Sequence, residues 1–320
     1  MQTAYISHSD CLKHDQGGYH PESPQRLIAI ENELNASGLL AKLQRYDAPL
    51  ATTEQLARVH KPDYIESIRQ TAPAAGLIAL DADTAMNPFS LNAALRAAGA
   101  VTLAADLVLT NQVNNAFCAV RPPGHHAESD RAMGFCLFNN VAVGVAHAIE
   151  RHHVQRVAIL DFDVHHGNGS EEIFRDDPRV MLCSTFQHPF YPYSGANSGS
   201  DRMINVPLRR DADGAVFRKA VSEYWLPALD RFKPEMIFVS AGFDAHRDDD
   251  MSQVYLSDDD YIWITQQIRT IADQYSQGRI VSVLEGGYEL QSLARCVAAH
   301  IRVLHAEEVF QPSLSRDYQE

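Results

Sequence analysis

The sequence has no C-x-x-C pair, no internal repeat and no linker rich in Pro, Gly or Ser, and it is short of basic residues. Its 27 Lys and Arg residues stand against 41 Asp and Glu residues, which gives a formal charge of −14. This charge disfavours nucleic acid and anionic membranes as partners, and it fits either plain solubility or a cationic partner. A chain of 320 residues that is 45% hydrophobic can bury a large core. Without a linker, we expect one domain over residues 1–320, with a core over about residues 2–305 and a C-terminal tail over 306–320.

The cysteines and the N-terminus indicate the cellular compartment. The five cysteines are an odd number with no metal or disulfide spacing, so we expect Cys118 and Cys183, in apolar runs, to be reduced core residues. The N-terminus lacks the basic and apolar regions of a secretory signal. No apolar run approaches the ~18 residues of a membrane helix. These absences predict a cytoplasmic protein that does not associate with membranes, and they leave oligomer formation open.

Short apolar runs alternate with helical periodicity along most of the chain, which predicts an α/β fold with a mostly parallel sheet and helices on both faces. The predicted strands are Ala4–Ser7, Ala116–Val120, Val157–Asp161, Val180–Thr185, Met236–Ser240 and Ile280–Leu284. The predicted helices are Pro24–Ser37, Thr53–Val59, Pro62–Gln70, Leu91–Thr110, Asn140–His152, Ala215–Phe232 and Asp258–Gln277. Long loops, which are often functional, are predicted over Gly124–Phe138, His188–Asp201 and Asp244–Ser257.

Acidic residues and histidines follow the predicted strand Val157–Asp161. Side chains alternate along a strand, so Asp161, Asp163 and His165 face the same side. Two carboxylates and an imidazole at this spacing can hold one divalent ion. A single Asp or His here is more simply a polar strand end, but the four such groups within residues 161–166 favour a metal site.

A further ligand has to come from another strand. Asp244 lies just beyond the predicted strand Met236–Ser240, and the carboxyl ends of parallel strands meet at one edge of the sheet. A lone Asp there is often a helix cap. Together with Asp163 and His165 it would leave a coordination position open, as catalytic zinc requires. Because two of the three ligands are carboxylates, Fe²⁺ is a rival to Zn²⁺.

Two other strand ends carry residues suited to catalysis. His125 and His126 follow a Pro-Pro-Gly turn that fixes their direction. Asp161 can orient one of these histidines and Asn168 the other. Tyr288 follows Gly-Gly after the last predicted strand and can offer its hydroxyl to a developing oxyanion. Each feature alone is an ordinary loop, but together they predict a metal-dependent hydrolase.

These stretches together resemble the zinc-dependent histone deacetylase family, including bacterial deacetylase homologues and acetylpolyamine amidohydrolases. The motifs are more similar to those of class II members than to those of class I members. The resemblance covers almost the whole chain. It rests on His20–Glu22, Arg121–Ala127, Gly134–Cys136, Asp161–Gly169, Ser240–Asp244 and Leu284–Tyr288. It implies a single-domain arginase–deacetylase fold. It also implies removal of acetyl or acyl groups from lysine side chains of a peptide or protein, with acetylpolyamine deacetylation as the alternative.

The resemblance also assigns roles to individual residues. It implies Zn²⁺ held by Asp163, His165 and Asp244. It implies a general acid–base pair, with His126 as the base, and a carbonyl-polarising hydroxyl on Tyr288. The implied substrate tunnel is formed by Phe135, Tyr191, Met251 and Gly134, with Asp83 gripping the substrate backbone. A structural K⁺ is implied near Asp161, Asp163, His165 and Ser184.

Single residues argue against two other functions. A binuclear ureohydrolase of the arginase type needs a metal aspartate two residues beyond His165, where Gly167 stands, and another where His246 stands. A non-catalytic acyl-lysine reader would not need Tyr288. Both rivals are therefore disfavoured.

If the protein is a deacetylase, one position indicates whether it prefers acyl-lysine or acetylpolyamine. Polyamine-selective relatives have an acidic residue seven positions beyond the metal aspartate, and Met251 stands there in this chain. Asp248, Asp249 and Asp250 lie beside it. A loop shift could bring one of these aspartates to the tunnel mouth. Without that shift we expect a preference for acyl-lysine.

Overall fold

The computed structural model describes residues 2–306, and its centre is a sheet of eight parallel strands. The strands of the chain are β1 (Thr3–Ser7), β2 (Gln44–Asp47), β3 (Ile78–Ala79), β4 (Ala85–Met86), β5 (Asn115–Cys118), β6 (Val157–Asp161), β7 (Val180–Gln187), β8 (Met203–Leu208), β9 (Met236–Ala241) and β10 (Ile280–Leu284). Their order across the sheet is β2-β1-β5-β10-β9-β6-β7-β8, and β3 pairs with β4 in a separate antiparallel hairpin.

Helices cover both faces of this sheet. They are α1 (Gln25–Ala36), α2 (Thr53–Ala57), α3 (Pro62–Thr71), α4 (Ser90–Leu109), α5 (Asn140–His152), α6 (Asn168–Phe174), α7 (Gly214–Ala220), α8 (Leu226–Phe232), α9 (Asp258–Tyr275) and α10 (Leu290–Leu304). Helices α4 and α5 pack on each other, and α10 packs between α1 and α9. The predicted α/β architecture is therefore confirmed.

Helix α4 corrects one expectation from the sequence. Among the described residues it alone is long and apolar enough to span a membrane, although no such segment was expected. Alanines make up much of it, and 72% of its most apolar window is buried against the rest of the fold. The helix contacts β1, β5, β10 and α5, so it is a core helix.

Several elements were not predicted from the sequence, and the edge strands and the broken helix have physical reasons. Strand β2 has a half-exposed polar pattern, and β8 is an edge strand that contains Pro207. The predicted helix over 215–232 is broken by a π-helical turn at Val221–Trp225, just before Pro227. Helix α10 was not predicted at all. The predicted C-terminal tail lies outside the described residues, apart from residue 306.

The four motif-bearing strands are neighbours in the middle of the sheet. In the order β5-β10-β9-β6 they carry the Pro-Pro-Gly-His-His turn, the Gly-Gly-Tyr segment, Asp244 and the Asp-x-His segment. The register aligns Asp161 with Ser240 and Ser184 on the two neighbouring strands. Because all these strands are parallel, their carboxyl ends open onto one site.

Candidate active site

Asp163, His165 and Asp244 form a tight cluster at the carboxyl ends of β6 and β9. Nδ1 of His165 lies 3.1 Å from Oδ1 of Asp163 and 3.0 Å from Oδ2 of Asp244. One donor atom from each residue lies within 4.8 Å of the others, and all three residues are buried. Two carboxylates and an imidazole converging in a buried site are a donor set suited to one divalent cation.

Backbone donors hold the two carboxylates in place. The N–H of Val164 donates to Oδ1 of Asp244 at 3.0 Å, and the N–H of Gly286 donates to Oδ2 of Asp163 at 2.8 Å. A Cβ atom at Gly286 would lie 2.2 Å from Oδ2 of Asp244. Only glycine lets the backbone approach the cluster this closely. The carboxylates are therefore fixed by the strand ends themselves.

His125 and His126 lie side by side with ring centroids 4.0 Å apart, but they have different partners. Nδ1 of His125 lies 3.0 Å from Oδ2 of Asp161, and its Nε2 lies 3.8 Å from Oδ1 of Asp163. Nδ1 of His126 lies 2.8 Å from Oδ1 of Asn168. The pair thus combines one carboxylate-linked imidazole with one amide-linked imidazole.

These surroundings move the two pKa values in opposite directions. For His125, burial favours the neutral ring, but the Asp163 and Asp161 carboxylates outweigh it and raise the pKa to about 10. For His126, burial and then the charges of His125 and His165 hold the pKa well below its usual value. Such separation within a pair is how active sites assign an acid and a base.

Glu285 is a site residue that the sequence reasoning passed over. Its Oε2 accepts the backbone N–H of Gly124 at 2.7 Å and that of His125 at 3.2 Å, so it holds the turn that carries the histidine pair. Burial raises the pKa of Glu285 to about 7. The sequence shows an acidic residue directly before Gly-Gly, but the N–H groups that it binds follow β5, which is far away in the sequence.

Tyr288 lines the same cavity as His126 and His165. Its ring centroid lies 5.9 Å from that of Phe135, and the Arg26 guanidinium lies 5.0 Å from the Tyr288 ring. Its backbone N–H donates to Oδ2 of Asp249 at 2.6 Å. Burial and the nearby Asp244 carboxylate raise the pKa of Tyr288 well above its usual value, so the phenol keeps its proton. A protonated phenol can donate a hydrogen bond to an oxyanion.

A cavity of about 160 Å³ leads to His126, His165 and Tyr288. All five residues predicted for the tunnel line it: Asp83, Gly134, Phe135, Tyr191 and Met251. Phe190, which the sequence reasoning did not assign, also lines it and stacks on His165 with centroids 5.7 Å apart. A Cβ at Gly134 would lie 2.4 Å from the His126 ring, so this wall needs glycine. Each of the three predicted long loops contributes to the lining.

Ser184 was grouped with a K⁺ site, and its hydroxyl is a buried polar atom with no hydrogen-bond partner among the described residues. Ser184 lies in β7, where it is in register with Asp161 of the neighbouring strand β6. An unpaired buried hydroxyl beside a carboxylate fits an oxygen-ligated cation, which would supply the missing interaction.

The geometry also bears on the binuclear alternative. His246 stands where a second metal aspartate would be needed, but its Nε2 lies 2.8 Å from Oδ1 of Asp258. Among the residues the structure describes, His246 therefore belongs to a different cluster, away from Asp163, His165 and Asp244.

Comparison with known proteins matches this site to a family. The profile of the histone deacetylase domain matches residues 20–304. The chain is 40% identical to a histone deacetylase-like amidohydrolase of Pseudomonas aeruginosa, covering 89% of this chain and 77% of that protein. It is 35% identical to the human polyamine deacetylase HDAC10, where the match covers 95% of this chain but 48% of that protein.

Similarity in three dimensions is equally broad. The crystal structure of the HDA15 HD domain superposes with a TM-score of 0.90 at 34% identity, covering 95% of this chain and 88% of that one. This confirms the arginase–deacetylase fold that the resemblance implied. The chain belongs to the histone deacetylase family, a family of deacetylases and amidohydrolases, which indicates that it is an enzyme.

Proposed function

We propose that this protein is a zinc-dependent lysine deacetylase, which hydrolyses acyl-lysine amides to a carboxylate and a free amine. The observation that carries the proposal is the meeting of three groups at the end of one narrow cavity. These are the Asp163, His165 and Asp244 cluster, the unequal histidine pair, and the protonated phenol of Tyr288.

The carboxylate and imidazole donors fit a divalent cation held by Asp163, His165 and Asp244, with Zn²⁺ as the expected ion and Fe²⁺ as the rival. When bound, such an ion acts as a Lewis acid that polarises the amide carbonyl and acidifies water. In this cluster, the backbone donors from Val164 and Gly286 fix the carboxylates before any ion or substrate arrives.

His126 is suited to act as the general base. Nδ2 of Asn168 donates to Oε1 of Glu128 at 2.7 Å, so the amide oxygen is the atom that faces His126. Nδ1 of His126 therefore carries the hydrogen, and Nε2 keeps a free lone pair. Because the pKa of His126 is low, this ring is neutral at neutral pH and can take a proton from the attacking water.

His125 is suited to act as the general acid. Its Nδ1 donates to the Asp161 carboxylate, and its raised pKa keeps it protonated at neutral pH. Nε2 can then deliver a proton to the leaving amine. Tyr288 donates its phenolic hydrogen to the oxyanion as the carbonyl becomes tetrahedral.

The cavity suits a long, thin acyl-amine. Phe135, Tyr191 and Phe190 give it aromatic walls, which fit the methylene chain of lysine. Asp83 lines the same cavity, and its Oδ1 accepts the N–H of Gly134 at 3.2 Å and the Thr84 hydroxyl at 2.9 Å, so its carboxylate is held where it can accept a substrate backbone N–H. A substrate that offers a backbone N–H is a peptide or protein. The negative net charge of this chain is compatible with a cationic substrate of that kind.

The aspartate run beside Met251 bears on the acetylpolyamine alternative. Asp249 is engaged by the N–H groups of Tyr288 and Glu289, and Asp248 lies 3.5 Å from the Arg295 guanidinium. Met251, an apolar side chain, is the residue of this segment that lines the cavity. A second ammonium group of a polyamine would find no charge partner in that position.

The test compares kcat/KM for an acetyl-lysine peptide with that for N-acetylputrescine and N-acetylspermidine. We expect the peptide to be the better substrate. A preference for acetylpolyamines by about tenfold or more, or about 1.4 kcal/mol, would overturn the lysine assignment and leave the deacetylase chemistry intact.

A further inference from the structure

A second group of potential metal ligands lies outside the candidate active site. It consists of His246 in the loop after β9, Asp258 at the start of α9 and Cys296 in α10. Nε2 of His246 lies 2.8 Å from Oδ1 of Asp258, and Sγ of Cys296 lies 3.6 Å from the same oxygen. One donor atom from each residue lies within 4.8 Å of the others. His246 and Cys296 are buried, while Asp258 is half-exposed and gives a path from solvent.

These separations are close to those of a tetrahedral zinc site. With Zn–S near 2.3 Å and Zn–N near 2.0–2.1 Å, ligand atoms lie about 3.3–3.6 Å apart. The Sγ to Oδ1 distance already agrees, and the His246 ring needs to move by roughly half an ångström. A thiolate, an imidazole and a carboxylate select a soft or borderline cation such as Zn²⁺ over Mg²⁺ or Ca²⁺.

His246 has an alternative hydrogen-bond partner that frees Nε2 for a metal. Without an ion, Nδ1 accepts the backbone N–H of Asp248 at 3.1 Å, and Nε2 donates to Asp258. When Nε2 binds an ion, Nδ1 must carry the hydrogen, so the backbone N–H of Asp248 has to turn away from it and Oδ2 of Asp248, 3.5 Å from the same Nδ1, takes its place as the partner. A carboxylate behind a ligand histidine is the usual support for metal sites.

Charge balance also favours a divalent ion. Asp248 and Asp258 are carboxylates, and binding would convert the Cys296 thiol to a thiolate with release of one proton to solvent. Arg295 is the cation paired with these carboxylates, and its guanidinium takes Oδ2 of Asp258 and leaves Oδ1 available. The cluster would then have a net charge of −2, which one divalent cation neutralises.

A comparable cluster elsewhere lacks these features. The Nε2 atoms of His147 and His152 lie 2.8 and 2.6 Å from Oδ1 of Asp106. However, Nη1 of Arg58 lies 3.0 Å from Nδ1 of His147, so that nitrogen must accept and Nε2 keeps the hydrogen. A guanidinium directly behind a ligand histidine opposes a cation. The Asp106 cluster is therefore better described as a group of hydrogen bonds from the two histidines to one carboxylate.

We propose that His246, Asp258 and Cys296 form a structural site for a thiophilic divalent cation, with Zn²⁺ as the expected ion and Asp248 as the outer carboxylate. The bound ion ties the loop after β9 to the first turn of α9 and to α10. That loop begins at Asp244 and includes Asp249, which holds the backbone of Tyr288. The site stands on its own geometry and does not depend on the proposed catalytic activity.

Cobalt(II) distinguishes the two sites without an activity assay. The donors at Asp163, His165 and Asp244 are oxygen and nitrogen, so cobalt there gives no thiolate charge-transfer band. Cobalt at Cys296 gives such a band in the near ultraviolet. We expect the chelator-stripped full-length protein, titrated with Co²⁺, to develop this band with the amplitude of one thiolate site per chain, in addition to the equivalent of cobalt that the Asp163, His165 and Asp244 cluster takes up.

Variants assign the band to a residue. Cys296→Ala should abolish it, and Cys183→Ala, which removes a buried strand cysteine that belongs to none of the clusters found among the described residues, should retain it. Asp248→Asn should weaken cobalt binding at this site by roughly 10–100-fold. If Cys296→Ala fails to fold by circular dichroism, Asp258→Asn must lose the band instead. Absence of the band in the unmodified protein with cobalt bound at the other cluster, or its survival in Cys296→Ala, would overturn the proposal.

Discussion

The carboxylate of Asp249 accepts the backbone N–H of Tyr288 at 2.6 Å, and the next N–H, of Glu289, at 3.0 Å. The aspartate run beside the cavity is thereby tied to the segment that presents the phenol. With Asp249 engaged in this way and Asp248 beside the Arg295 guanidinium, Met251 is the residue of this loop that lines the cavity. The Asp249 contact also fixes the backbone of Tyr288 to the loop after β9.

Tyr288→Phe should leave the fold and metal content intact but lower kcat by roughly 10²–10³, the usual loss for one oxyanion donor. Tyr193→Phe, an exposed tyrosine on the loop that carries Tyr191, is the matched control and should change kcat little. Steady-state kinetics on an acetyl-lysine peptide decide the matter. Near-normal kcat in Tyr288→Phe would exclude the oxyanion role.

The histidine pair should be unequal in mutagenesis. His126→Ala should lose more activity than His125→Ala, because His126 is the neutral ring with a free Nε2. Single-turnover rates for both variants give the comparison, with metal content measured in parallel. The reverse order would exchange the two roles.

The pH dependence of kcat/KM should be bell-shaped, with a plateau around neutral pH. The base must be unprotonated, so activity falls as pH drops through the pKa of His126, which lies below 6.5. The acid must be protonated, so activity falls as pH rises through the pKa of His125, raised to about 10. Asp161→Asn removes a carboxylate from His125 and should shift the basic limb to lower pH. An unchanged basic limb in that variant would contradict the acid role of His125.

Met251→Glu should move the substrate preference toward acetylpolyamines, because it adds a carboxylate to the cavity wall. If the new contact is desolvated, the change in selectivity should be about 1–3 kcal/mol. Met251→Gln, of similar length but without charge, is the control. Equal preferences in the two variants would mean that position 251 does not contact the distant amine.

The sequence predicted which strand ends meet at the site, because parallel strands present their carboxyl ends at one edge and so bring Asp244 beside the end of β6. The strand alternation expected for Asp161, Asp163 and His165 does not apply to all three, because β6 ends at Asp161 and the other two residues lie in the bend that follows it. The Glu285 contacts with the His125 turn were not predictable, because they depend on β10 lying between β5 and β9. Nothing local to either strand specifies that pairing.

The remaining omissions have different origins. The cluster at His246 requires α10 to dock against α9, and α10 was not predicted. Strands β2 and β8 were missed because they lie at the edges of the sheet, where one side meets solvent and the apolar pattern is weak.

The central claim is that hydrolysis of acetyl-lysine depends on an ion held by Asp163, His165 and Asp244. Acetate release from an acetyl-lysine peptide should stop after chelation and return on addition of Zn²⁺. Asp244→Ala should lose both the ion at this cluster and the activity, because a site with three ligands does not bind tightly after losing one. Full activity in the chelated protein, or in Asp244→Ala, would contradict the account.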